Sequence, residues 1–145
     1  MKKYIILIPI YNDRESLTKL IENINSEIKD LNSEISVIVI NDASSQQIID
    51  QYQNTENINS IEVVNMKENR GHTRCIASGL KYIFEKKEFD YVIPMDGDGE
   101  DRPEEIKNFI ELAEQSKDQS ITGERVKRSE NLNGAISIAQ NLPNI

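Results

Sequence analysis

The chain predicts an α/β fold: a doubly wound, mostly parallel sheet with helices on both faces. Three observations lead there. Four short apolar runs recur along the 145 residues, each continuous rather than alternating, as in strands covered on both sides. Between them, apolar residues return every three or four positions, the period of a helix facing a core. Strands and helices alternate along the chain, the order that a parallel sheet with crossover helices requires.

The first strand is "YIILIPI", residues 4 to 10. Two lysines before it imitate a secretion signal, but the run is short and β-branched and leads into Asn12 and Asp13 rather than small residues. Asp13 marks the start of a helix whose apolar stripe is Leu17, Leu20, Ile21, Ile24, Ile28 and Leu31. "ISVIVI", 35 to 40, is the second strand, and the polar connection "SSQQIIDQYQNTENIN" is expected to hold a short helix and a loop. "SIEVVN", 60 to 65, is the third strand, followed by a helix with Ile76, Ala77, Leu80, Ile83 and Phe84 on its apolar face. "YVIPM", 91 to 95, is the fourth, and Pro103 opens the last helix, with Glu104 and Glu105 in its first turn and Ile106, Phe109, Ile110 and Ala113 facing inward.

A composition of 37% hydrophobic and 29% charged residues suits one globular domain with a real core. The formal charge of -8, with no basic run longer than "RVKR" at Arg125 to Arg128, argues against a nucleic-acid partner, because phosphate backbones demand clustered cations. Cys75 is the one cysteine, so an internal disulfide and a Cys-rich zinc site are both excluded. It reads as core filler in a reduced, cytosolic setting. No run approaches the ~20 apolar residues of a spanning helix, so membrane association is expected to be peripheral or through a partner.

In a doubly wound sheet the ligand crevice lies beyond the carboxyl ends of the strands. Those ends are followed by "YND" at 11 to 13, "NDASS" at 41 to 45, "MKENRGH" at 66 to 72 and "DGDGED" at 96 to 101. Asp96, Asp98 and Glu100 stand two apart and share a face on an extended segment. Crowded carboxylates repel unless a cation sits among them, and hard oxygen donors suit Mg²⁺ or Mn²⁺. The plainer alternative, an acidic cap for the helix at Pro103, accounts for Asp101, Glu104 and Glu105 but not for Asp96 and Asp98. An EF-hand starting at Asp96 fails, because its sixth and twelfth positions are Asp101 and Lys107 rather than Gly and Glu. A haloacid dehalogenase-type phosphatase, with Asp96 as nucleophile and Asp98 as acid, stays open, although that family has Thr where Glu100 stands.

Five segments together resemble the family 2 glycosyltransferases of the GT-A fold, and among them the polyprenyl-phosphate sugar transferases similar to dolichol-phosphate mannose synthase. These are "IPIYNDRESL" at 8 to 17, "VIVINDASSQ" at 37 to 46, "NRGHTRCIASGL" at 69 to 80, "MDGDGEDRPEEI" at 95 to 106 and "TGERV" at 122 to 126. The resemblance implies that Pro9, Tyr11 and Asp13 line a nucleotide site, with Asp13 near the ribose, and that Asp42 bonds the base. Asn41 stands where many relatives have Asp. Asp96 and Asp98 would be the DxD pair that joins metal to the donor diphosphate, Glu100 a further metal ligand, and Arg125 a phosphate contact beside Asp98 in catalysis. Ser44 and Ser45 read equally well as a helix N-cap, and Asn69 and Gly71 as a turn. His72, the sole histidine, reads as structural or solvent-exposed rather than catalytic.

The implied activity is metal-dependent, inverting transfer of a sugar from a UDP- or GDP-sugar to a lipid phosphate or a saccharide. A nucleotide-sugar-binding module without transfer is the alternative. Residues 1–127 correspond to the donor half, and the tail 128–145 does not match the acceptor-binding segments expected there. An incomplete acceptor region implies a truncated gene, an excised piece, or completion by a second copy or a membrane-protein partner. The implied location is cytoplasmic, at the inner face of a membrane.

Overall fold

A computed structural model describes residues 1–97 and 102–115, and the backbone of 139–140. The chain runs β1 (Lys3–Ile10), α1 (Arg14–Glu27), β2 (Glu34–Asn41), β3 (Ser60–Asn65), α2 (His72–Lys86), β4 (Tyr91–Pro94), α3 (Pro103–Gln115) and β5 (Ala139–Gln140). The strand order is β3-β2-β1-β4-β5. The first four strands are mutually parallel, with Ile6 beside Val37 on one flank and beside Ile93 on the other. β5 adds an antiparallel pairing of Ala139 and Gln140 with Val92 and Tyr91, which the sequence did not indicate.

β1 is apolar from Tyr4 to Ile10 because both of its faces are covered there. Tyr4, Ile6, Ile8 and Ile10 pack with Leu17, Ile21 and Ile24 of α1 and Ile106 and Ile110 of α3. Ile5 and Leu7, which point the other way, pack with Cys75 and Ile83 of α2. Ile6, Leu7 and Ile8 are fully buried, and burial of such side chains stabilises by ~1.5–3 kcal/mol each. β3, at the open edge, is only partly covered. There Glu62 accepts a hydrogen bond from Tyr82 and an ion pair from Lys87. Burial pushes the Glu62 carboxyl up, but those two partners outweigh it and hold it below the ordinary value.

α1 starts where the sequence marked it: the Asp13 carboxylate accepts the Ser16 N–H at 3.3 Å. The short helix expected between β2 and β3 is absent. Only Ile48, Tyr52 and Ile58 of that connection reach the core, too few for a helical stripe. The segment is instead tied to α1 by Asn57, whose backbone N–H donates to the Asn25 side chain at 2.8 Å and whose amide donates to the Asn25 carbonyl at 3.1 Å. Ser44 and Ser45 therefore cap no helix.

α2 lies close against the sheet because Gly79 has no side chain. A Cβ there would stand 2.7 Å from both Leu7 Cδ1 and Ile40 Cγ1. Cys75, on the same face, is wholly buried and donates to the Ile40 carbonyl at 3.5 Å. Burial, and then the Asp42 carboxylate, push its thiol up to about 11.

Two outcomes are expected. Gly79→Val overpacks the α2–sheet contact and lowers the melting temperature by about 3–10 °C, corresponding to ~1–3 kcal/mol; an unchanged melt in calorimetry contradicts the close approach. Ellman's reagent at pH 8 leaves Cys75 unmodified in the folded chain, where roughly one thiol in a thousand is ionised, and titrates it fully in denaturant.

Candidate functional site

All four parallel strands end at one edge of the sheet, and the chain reverses its direction of travel there. It moves outward from β1 through β2 to β3, then returns to place β4 on the other flank of β1. A crevice opens where strand order reverses in this way. It is a cleft of about 460 Å³, lined by Pro9, Ile10, Tyr11 and Asp13 after β1, by His72 at the start of α2, and by Asp96 and Gly97 after β4. Four of the expected nucleotide-site residues, Pro9, Tyr11, Asp13 and Asp96, thus meet in one cavity. Asp98, Glu100 and Arg125 lie outside the described residues.

The rim of the cleft is held by side chains gripping backbone. Asn12 adopts a left-handed conformation with φ 54°, one that Asn tolerates better than most residues. Its side-chain Oδ1 accepts from Ser45 N–H at 2.8 Å, Ser45 Oγ at 3.0 Å and Gln46 N–H at 3.2 Å. In return, Ser44 Oγ accepts the Asn12 N–H at 2.9 Å. Asn41 carries the chain of contacts onward: its side-chain Nδ2 donates to Asn65 Oδ1 at 2.9 Å, and its side-chain Oδ1 accepts from Ser44 N–H at 3.0 Å. An Asp in place of Asn41 has no donor for the first of these bonds. The loops after β1, β2 and β3 are therefore stitched side by side.

Asp42 is 4% exposed, and its two carboxylate oxygens accept from Arg70 N–H at 2.8 Å and Gly71 N–H at 3.0 Å. Its backbone carbonyl accepts from the Asn69 amide at 3.2 Å. These bonds fix the Asn69–Gly71 turn, where Gly71 takes φ 86°, a conformation that glycine reaches without strain. Asp42 is not among the residues lining the cleft, although its carboxylate retains lone pairs for a further donor.

That turn aims His72. Its Nε2 lies 3.0 Å from Asp96 Oδ1, and the two side chains are 58% and 39% exposed. The sequence reading treated this histidine as structural or exposed; it is exposed, and it also lines the cleft. The signal available was its position, directly after the turn at a strand's carboxyl end. Gly97 has a further task. A Cβ there would stand 3.0 Å from the Pro9 carbonyl oxygen and from Ile10 Cδ1, so the missing side chain lets the end of β4 close on the end of β1.

Among the described residues no three His, Cys, Asp or Glu side chains are grouped to hold a metal ion. The donors lining the cleft are the Asp13 and Asp96 carboxylates, of the oxygen type that suits Mg²⁺ and Mn²⁺, and the His72 imidazole. A second cavity of about 420 Å³, lined in part by Lys67, Glu68, Arg70 and Arg74, shares no residue with the first. Its Arg70 is already paired with Glu68 at 2.6 Å.

Among solved structures, S. aureus TarS superposes with a TM-score of 0.60 at 20% identity, covering 95% of this chain and 28% of that one. A structure of S. aureus TarS 1-349 in complex with UDP superposes with a TM-score of 0.59 at 24% identity, covering 77% and 32%. These likenesses establish the fold, the Rossmann-like half of the GT-A type. Among curated proteins, the chain is 31% identical over 120 residues to the undecaprenyl-phosphate 4-deoxy-4-formamido-L-arabinose transferase of Proteus mirabilis, covering 81% of this chain and 36% of the relative. The protein of the same name from Pseudomonas savastanoi pv. phaseolicola is 33% identical over 116 residues, covering 78% and 33%. The chain thus spans about a third of the length of these relatives. The sequence model described as "Glycosyl transferase family 2" matches residues 5–139, from the first strand through the last, and the chain belongs to that family.

Proposed function

We propose that the chain is the donor-binding half of a glycosyltransferase that takes a nucleoside-diphosphate sugar and passes the sugar, with inversion, to a lipid phosphate. The observation that carries this reading is the convergence of Pro9, Tyr11, Asp13 and Asp96 on one cleft at the switch point of the sheet. The names of the curated relatives support undecaprenyl phosphate as the acceptor. Residues 1–127 form the donor half in this reading, and 128–145 begin the acceptor region. Membership of the family displaces the phosphatase alternative.

Tyr11, 55% exposed at the mouth of the cleft, offers a ring face to the nucleotide. Asp13 stands beside it for the ribose hydroxyls, and Asp42 holds the turn that shapes the neighbouring wall. Asp96 presents a carboxylate where the diphosphate arrives, and two like charges need a cation between them. Asp96, with Asp98 and Glu100, would hold Mg²⁺ or Mn²⁺, which supplies Lewis-acid stabilisation of the departing diphosphate. Arg125 is assigned a phosphate. In the transfer, an acceptor oxygen forms a bond to the anomeric carbon from the face opposite the diphosphate, and the breaking bond leaves its electron pair on the diphosphate oxygen. A lipid phosphate is already anionic and needs no protein base; a saccharide hydroxyl would need a carboxylate. Among the described residues no helix is long and apolar enough to cross a membrane. A lipid acceptor would be met peripherally at the cytoplasmic face, with the acceptor side completed by further chain, a second copy or a membrane partner.

The test is calorimetric titration of UDP and of GDP into the chain, with Mn²⁺ and with chelator. One nucleotide is expected to bind in a metal-dependent way, and Asp96→Ala and Asp98→Ala each weaken it at least tenfold, a loss of about 1.4 kcal/mol. Metal-independent binding, or no binding by a chain that melts cooperatively, sinks the reading. Tight binding without sugar transfer to undecaprenyl phosphate selects the binding module instead.

A further inference from the structure

We infer that His72 is a direct ligand of the divalent cation, sharing it with Asp96 Oδ1, and that this imidazole tunes the site toward Mn²⁺ over Mg²⁺. The inference rests on the reading that a cation binds in this cleft, and adds a ligand from a separate segment of the chain. Nε2 of His72 and Oδ1 of Asp96 are 3.0 Å apart. Two ligands on adjacent corners of an octahedron with bonds of ~2.1 Å stand about 3.0 Å from each other, so the pair has the spacing of one edge of a coordination sphere. Both side chains are substantially exposed in the cleft. An exposed contact of this kind adds little to folding, so stability does not explain why it is made.

The backbone around His72 is over-determined for a surface residue. The N–H groups of Arg70 and Gly71 are both held by the Asp42 carboxylate, and the Gly71 carbonyl accepts the Cys75 N–H at 2.9 Å to close the first turn of α2. A Cβ on Gly71 would meet nothing within 4 Å, so that glycine is present for its φ of 86° and not for room. The outcome of this bracing is the direction of His72. Asp96, for its part, follows β4 in a segment pressed against β1 at Gly97. Two loops from opposite flanks of β1 are thus each fixed, and each presents one donor atom to the same point. Both ions favour oxygen donors, but Mn²⁺ belongs to the first-row transition metals that take N ligands, whereas Mg²⁺ is bound through carboxylates, waters and phosphates, so an imidazole disfavours Mg²⁺ more. An imidazole in the sphere therefore separates the two ions.

His72 is the sole histidine in the sequence, which makes the test free of assignment. The tag-free 145-residue chain is produced with ¹⁵N-labelled histidine and loaded with Mn²⁺ and UDP, and electron spin echo modulation is recorded. Coupling to an imidazole ¹⁵N is expected, vanishing in His72→Gln. In titrations, His72→Gln is expected to weaken Mn²⁺ tenfold or more while changing Mg²⁺ less than threefold. Glutamine keeps an N–H that can bond Asp96, so a histidine that merely positions that carboxylate would be rescued by it. Mn²⁺ bound without ¹⁵N coupling, or held by His72→Gln as tightly as by the unaltered chain, overturns the inference and leaves the cation-binding cleft standing. Mn²⁺ that fails to bind, or binds equally to Asp96→Ala, overturns both.

Discussion

β1 has to satisfy two demands that pull in opposite directions. It must be apolar on both faces, since α1 and α3 cover one and α2 the other. It must also stop abruptly, because its end is the floor of the cleft. Pro9, Ile10, Tyr11 and Asp13 make that change from core to polar surface within five residues. Every wall of the site is referred to this strand: the loop after β2 is tied to it through Asn12 and Ile10, the loop after β3 is tied in turn to Asn41 and Asp42, and the segment after β4 leans on the Pro9 carbonyl through Gly97.

The rim shows how a site is kept rigid in a region without regular structure. Backbone groups that leave a sheet lose their ladder partners, and here side chains replace them. Asn12 alone takes three donors, and Asp42 takes two. Two non-glycine residues at this edge, Asn12 and Ala43, hold positive φ. Such conformations persist where surrounding contacts over-determine them, and they concentrate at sites that bind or react. The asparagine contacts are a material part of this: an amide both donates and accepts, so Asn41 can join Asn65 to Ser44 in one step.

Most of the architecture was legible in the sequence because it rests on local signals of large amplitude. Short, largely apolar runs announced four strands, Asp13 announced α1, and Pro103 announced α3. No helix forms between β2 and β3, although Ile48 and Tyr52 carry a helical spacing, because only those two and Ile58 reach the core and Asn57 ties the connection to Asn25 of α1 instead. The strand ends located the cleft, since parallel order forces them to one edge. What stayed hidden depended on tertiary direction. No pattern of residues says that Asp42 grips the turn before α2, or that His72 faces Asp96; both follow from where α2 crosses the sheet.

That crossing also places the flanks of the central strand far apart in time. Lys3 meets Asp90 across 87 positions, and Tyr4 pairs with Tyr91, so one side of β1 has its neighbour only late in synthesis. At ribosomal rates of ~5–20 residues per second, β1 leaves the exit tunnel many seconds before β4. During that interval α1 and β2 can shelter one flank of the strand, while the other remains an open, strongly apolar edge of the kind that pairs with another chain. The feature that gives the cleft its position, a strand order reversing at β1, therefore also makes the nascent chain dependent on whatever guards unfinished sheets until β4 arrives.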